Sequence, residues 1–141
     1  MKYLLDTCVI SEFVKPRPDP GLIAWLRGVD EDQMAVSVAS IAEIQSGISR
    51  MPESARRNEL EAWLHHDLIP RFEPRILALD LSAALAWGVA MGSAKRAGRP
   101  LPQVDALLAA VCRTHKLILV TRNVKDFRGV EVEVLNPWQG N

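Results

Sequence analysis

A chain of 141 residues suits one compact domain, and an apolar content of 48% supplies a buried core and excludes a disordered chain. The formal net charge is zero, which weighs against broad sequence-independent attraction to nucleic acid and turns attention to local basic clusters. Only two cysteines occur, Cys8 and Cys112; they fit no zinc spacing and no disulfide framework, and their apolar neighbours favour packing for both.

The first five residues are apolar and end at Asp6, which reads as a short buried strand. A short helix is expected over Thr7–Lys15, stopped by Pro16 and Pro18. Asp19-Pro20 has the form of a helix start, with the acid as N-cap and Pro20 in the first turn, and Gly28 ends that helix. Gln33–Val38 is a second strand. Ser40-Ile41-Ala42-Glu43 has the spacing of a capping box and predicts a helix opening there and running to about Arg50. Glu53–Leu68 is a further helix, with Leu60, Trp63 and Leu64 on one face. Arg75–Leu79, Leu117–Thr121 and Glu131–Leu135 are strands, and Ser82–Ala97 and Gln103–Thr114 are helices separated by Gly98 and a loop.

Strands alternating with helices call for a parallel sheet covered on both faces, an α/β/α sandwich in a single domain over residues 1–141. No apolar stretch reaches the ~20 residues that a spanning helix needs. The run before Asp6 is too short for a secretory signal, so the cytoplasm is the expected compartment.

Chemistry concentrates in carboxylates. Asp6 follows the first strand, Asp126 follows the Leu117–Thr121 strand, and Glu43 and Asp105 are placed in first turns of helices. In an open parallel sheet ligands bind beyond the carboxyl ends of strands, so four acids from distant parts of the chain can meet on one edge. Each has a structural alternative: Asp6 as a helix cap, Glu43 as the capping-box acid, Asp105 as a first-turn acid favoured by the helix dipole, Asp126 as a turn residue. Gathered carboxylates repel unless a cation neutralises them, and an all-oxygen donor set favours Mg²⁺ or Mn²⁺ over zinc. Such a site suits metal-activated attack of water on a phosphodiester. His65, His66 and His115 are expected at the surface. No Gly-rich phosphate loop and no Gly-x-Ser-x-Gly elbow is present.

Two basic clusters flank these acids. Lys95, Arg96 and Arg99 form one; Arg122, Lys125 and Arg128 belong to the other, and together they are expected to ring the acidic pocket and hold a nucleic-acid backbone. Large apolar side chains at Leu22–Leu26 and Ile41–Leu68, including Trp25, Met51, Trp63 and Leu64, exceed what the core is expected to bury and predict partner surfaces there.

Four segments carry a family resemblance: Leu4-Leu5-Asp6-Thr7-Cys8-Val9-Ile10-Ser11-Glu12, Val38-Ala39-Ser40-Ile41-Ala42-Glu43-Ile44, Asp105-Ala106-Leu107-Leu108-Ala109-Ala110 and Thr121-Arg122-Asn123-Val124-Lys125-Asp126-Phe127. In this order and over the whole chain, the sequence resembles the PIN-domain nucleases, and among them the VapC-type toxins of bacterial toxin–antitoxin pairs. The resemblance implies a three-layer α/β/α fold and metal-dependent cleavage of RNA. It makes Asp6 and Asp105 the principal metal ligands, with Glu43 and Asp126 completing the pocket and Thr121 and Asn123 as supporting polar residues. It also implies a homodimer and a small antitoxin that covers the site and carries the complex to promoter DNA. Many relatives have Asn where this chain has Cys8. The rival readings are a catalytically inactive PIN-like binding module, a nuclease acting on DNA, and a haloacid-dehalogenase-type phosphatase. The last lacks its second acid, because that position is Cys8.

Overall fold

The computed structural model describes residues 1–138. Five strands, β1 (Tyr3–Leu5), β2 (Met34–Ser37), β3 (Ile76–Leu77), β4 (Ile118–Val120) and β5 (Val134–Leu135), form one sheet in the order β3-β2-β1-β4-β5, with every pairing parallel. All five expected strands are present, each shorter than its apolar run. The sheet order leaves β1 in the centre, with its sequence neighbour β2 on one side and the distant β4 on the other.

Seven α-helices cover the two faces: α1 (Thr7–Glu12), α2 (Pro20–Arg27), α3 (Val38–Ser49), α4 (Ala55–Ala62), α5 (Ile69–Phe72), α6 (Leu81–Arg96) and α7 (Gln103–His115). A π-helical stretch, Trp63–Leu68, joins α4 to α5, so the helical path runs one turn further than Leu68. Successive strand residues point to opposite faces, and the core divides accordingly. Leu5, Val36 and Val120 join Leu22, Ile48, Leu64, Leu68 and Phe72 in one cluster. Leu4, Ala35 and Leu119 join Ala83, Leu108, Val111 and Cys112 in the other. The result is the α/β/α sandwich that the alternating pattern predicts.

The helix starts are set locally. Asp19 accepts a hydrogen bond from Leu22 N at 3.0 Å with Pro20 in the first turn, as expected. Asp80 does the same for α6 through Ala83 N at 2.8 Å. The expected capping box is a correction. The N-cap of α3 is Ser37, whose Oγ accepts from Ala39 N at 3.1 Å, and the helix begins directly at the end of β2. Glu43 therefore lies in the second turn of α3, and the buried Ser40 is free for another partner.

The expected apolar patch on the early helices is a second correction. Leu64 is fully buried, and Trp25, Leu26, Ile41, Ile44, Leu60 and Trp63 pack against the first core cluster. Exposed apolar side chains lie instead on α6, where Leu81, Leu85 and Val89 are 76%, 63% and 63% exposed. Among the described residues no helix is long and apolar enough to cross a membrane.

Candidate active site

Asp6 stands at the carboxyl end of the central strand and is 6% exposed. It caps α1, its Oδ1 accepting from Thr7 N at 2.7 Å. Its Oδ2 accepts from Thr121 Oγ1 at 2.6 Å, a bond buried from solvent, and from Cys8 Sγ at 3.7 Å. The parallel register pairs Leu5 with Val120, so Asp6 and Thr121 leave adjacent strands side by side. Burial raises the Asp6 pKa, opposed by the bonds from Thr121, Thr7 and Cys8, and the Glu43 charge raises it further.

Thr121 also accepts from Asn123 N at 3.0 Å, and Asp126 N in turn donates to Asn123 O at 3.0 Å. One hydroxyl thus joins Asp6 to the turn Val124–Phe127 that presents the exposed Asp126. Asp105 lies in the first turn of α7, half-buried. Its pKa is pushed up to about 6, first by burial and then by the charges of Asp6, Asp126 and Glu43. The charges of Asp6, Glu43 and Asp126 therefore all reach Asp105. None of the four takes part in an ion pair among the described residues. Equally, among the described residues no three Asp, Glu, His or Cys side chains are gathered closely enough to enclose an ion.

The basic residues separate. Arg99, Lys125 and Arg128 line a cleft whose wall includes Asp126; Lys95, Arg96 and Arg122 are exposed and lie outside that lining. The three histidines are at the surface, as expected. Cys112 is buried and its thiol is pushed up to about 12, mainly by burial, which agrees with a packing role. Cys8 does not: its thiol touches the Asp6 carboxylate and lies 3.6 Å from Thr121 Oγ1. Two further groups were missed. Thr7 Oγ1 donates to Ser40 Oγ at 3.0 Å, tying α1 to α3. Glu12 is buried, with Lys15 at 3.3 Å from Oε1 and no hydrogen-bond partner for Oε2 among the described residues. The periodic apolar pattern around Cys8 and Glu12 hides both, since it reports burial and says nothing of which polar group is buried beside them.

The Asp105 shift fixes a sign. A folded pKa of about 6 against 3.8 in the unfolded chain means that stability is fully present below pH ~4 and is lost as pH rises through about 6. In metal-free buffer, Asp105→Asn should therefore gain on the wild type between pH 4 and 7, by about 1–2 kcal/mol after allowing for solvent screening. Urea unfolding in EDTA at the two pH values measures this. A mutant-to-wild-type difference that stays constant with pH would remove the repulsion.

The profile of the PIN domain matches residues 3–132 of this chain. The VapC ribonuclease Y4jK of Sinorhizobium fredii is 30% identical over 136 residues, covering 96% of this chain and 97% of its own. Toxin FitB of Neisseria gonorrhoeae is 32% identical over 135 residues, covering 96% and 97%. In a solved structure of FitAB bound to an IR36 DNA fragment, one chain superposes with a TM-score of 0.89 at 29% identity, covering 99% of this chain and 97% of that one. Sheet order, acid-lined edge and similarity over nearly the full length agree: this chain belongs to the PIN-domain family, among its VapC-type toxins.

Proposed function

We propose that this chain is a metal-dependent endoribonuclease, the toxin of a toxin–antitoxin pair, which hydrolyses RNA phosphodiester bonds at the pocket of Asp6, Glu43, Asp105 and Asp126. The observation that carries this reading is the Asp105 carboxyl, raised to about 6 first by burial and then by the charges of Asp6, Asp126 and Glu43, with none of the four acids in an ion pair among the described residues. A pocket so charged costs stability and is suited to a divalent ion. Its donors are all oxygen, which fits Mg²⁺ or Mn²⁺.

Asp6 and Asp105 are the residues assigned to hold the ion. A carboxylate offers about four acceptor positions; Thr7, Thr121 and Cys8 use three on Asp6, which leaves one on Oδ1. Glu43 and Asp126 complete the charge of the pocket, directly or through water. When bound, the ion supplies an activated water and offsets charge on the scissile phosphate. Thr121 and Asn123 hold Asp6 and the Asp126 turn in mutual register. The choice of RNA over DNA rests on the ribonuclease relative.

The reading includes three partners. RNA is the substrate. A small antitoxin, and through it promoter DNA, is the second; the name of toxin FitB and the structure of FitAB bound to a DNA fragment support it. The third is a second copy of this chain. Leu81, Leu85 and Val89 are four residues apart on α6 and share a face, and Gly88 and Gly92 beside them have nothing within 4 Å of an added β-carbon. A two-fold axis lays such a stripe on itself.

Asp6→Asn and Asp105→Asn should each abolish Mg²⁺-dependent RNA cleavage while circular dichroism shows a folded chain. Cleavage retained by either would sink the assignment. For the homodimer, sedimentation velocity at micromolar concentration should find a dimer for wild type and a monomer for Leu85→Asp; an unchanged sedimentation coefficient would place the contact elsewhere.

A further inference from the structure

Resting on the ribonuclease reading, we propose that the cleft between α6, the 97–101 loop and the 128–131 loop is a subsite for one unpaired nucleotide of the RNA strand, beside the bond that is cut. The cleft has a volume of about 720 Å³, within the range of small-ligand pockets. Asp126 is part of its wall, so it is continuous with the acidic edge.

Charge selects an anion. Arg113 is paired with Glu131 at 3.3 Å, whereas Arg99, Lys125 and Arg128 make no ion pair among the described residues. Three uncompensated cations beside a cation-demanding acid cluster are the arrangement a phosphate backbone needs as it leads to a metal. The lining also includes the apolar Leu101 and Val130, which offer a surface for the face of a base. A paired base has both faces stacked and its edge committed, so the cleft admits a splayed base and rejects a duplex one.

Backbone geometry places Arg99 there. Gly98, at φ +72°, ends α6: its N–H donates to Lys95 O at 3.1 Å and Arg99 N–H donates to Ala94 O at 2.9 Å. This reversal of the chain carries Arg99 away from Lys95 and Arg96 and into the cleft. Across it, Gly129 at φ +81° brings its backbone close to the guanidinium; a β-carbon built there would sit 3.5 Å from Arg99 Nη1.

The test is anisotropy of a dye-labelled, mixed-sequence single-stranded RNA in EDTA, which prevents cleavage, with a blunt RNA duplex as the comparison. Arg99→Glu with Arg128→Glu should weaken single-strand binding about tenfold or more, and Lys95→Glu with Arg96→Glu, the same charge change outside the cleft, by less than about threefold. Ala97→Trp fills the cleft without altering charge and should reduce the preference for single strand over duplex. Thermal melts establish that each variant is folded, and Ala97→Trp stands alone if the charge reversals do not fold. Equal losses from the two charge pairs, or an unchanged strand preference in Ala97→Trp, overturn the subsite. An oligoglutamate peptide bound as tightly as RNA and lost in Ala97→Trp makes the cleft a protein dock and also overturns it. Wild-type protein that binds no RNA overturns the ribonuclease reading itself, which separates the two failures.

Discussion

The hydrogen bond from Thr121 Oγ1 to Asp6 Oδ2, 2.6 Å long and buried, is the contact on which the site depends. It joins the carboxyl ends of β1 and β4, which are distant in sequence and adjacent in the sheet. A hydrogen bond to a charged group contributes about 1.5–3 kcal/mol, and here it opposes the burial that drives the Asp6 pKa upward. The same hydroxyl accepts from Asn123 N, so the orientation of Asp6 and the position of the Asp126 turn are set by one side chain. Loss of that hydroxyl would loosen two of the four acids together.

The remaining acids arrive by topology. In a parallel sheet every strand ends on the same edge, and α3 starts at once from the end of β2, which delivers Glu43 there. Asp105 is delivered by the first turn of α7, whose helix dipole favours an anion. The dipole does not offset burial and three like charges, since the carboxyl is still pushed up to about 6. Both packed faces of the sheet supply the stability that such a pocket consumes.

Much of this was legible in the sequence. Short apolar runs located the strands, Asp19-Pro20 and Gly98 marked helix ends, and Asp6 and Asp105 stand at the strand end and helix start read for them, while Glu43 lies a turn further into its helix. The failures have specific causes. Ser40-x-x-Glu43 matched a capping box by spacing, yet the strand ran straight into the helix and Ser37 took the cap, leaving Ser40 to meet Thr7 across α1 and α3. Trp25 and Trp63 looked surplus to the core because a sequence does not state how wide a layer is; here they fill it. Nothing in the Ala-rich sequence of α6 marks Leu81, Leu85 and Val89 as exposed, because their exposure depends on how α6 is rotated against α7. The basic cluster was divided by one backbone turn at Gly98, which sequence proximity conceals.

The central claim is that Thr121 presents Asp6 to a divalent ion. Electron paramagnetic resonance of free Mn²⁺, titrated into wild type, Thr121→Val and Thr121→Ser at neutral pH, measures it directly. Orienting partners of metal ligands typically contribute 10–100-fold in affinity, so Thr121→Val should bind Mn²⁺ about 10–100-fold more weakly while Thr121→Ser, which keeps the hydroxyl, stays near wild type. Mn²⁺ bound as tightly by Thr121→Val as by the wild type would contradict that claim.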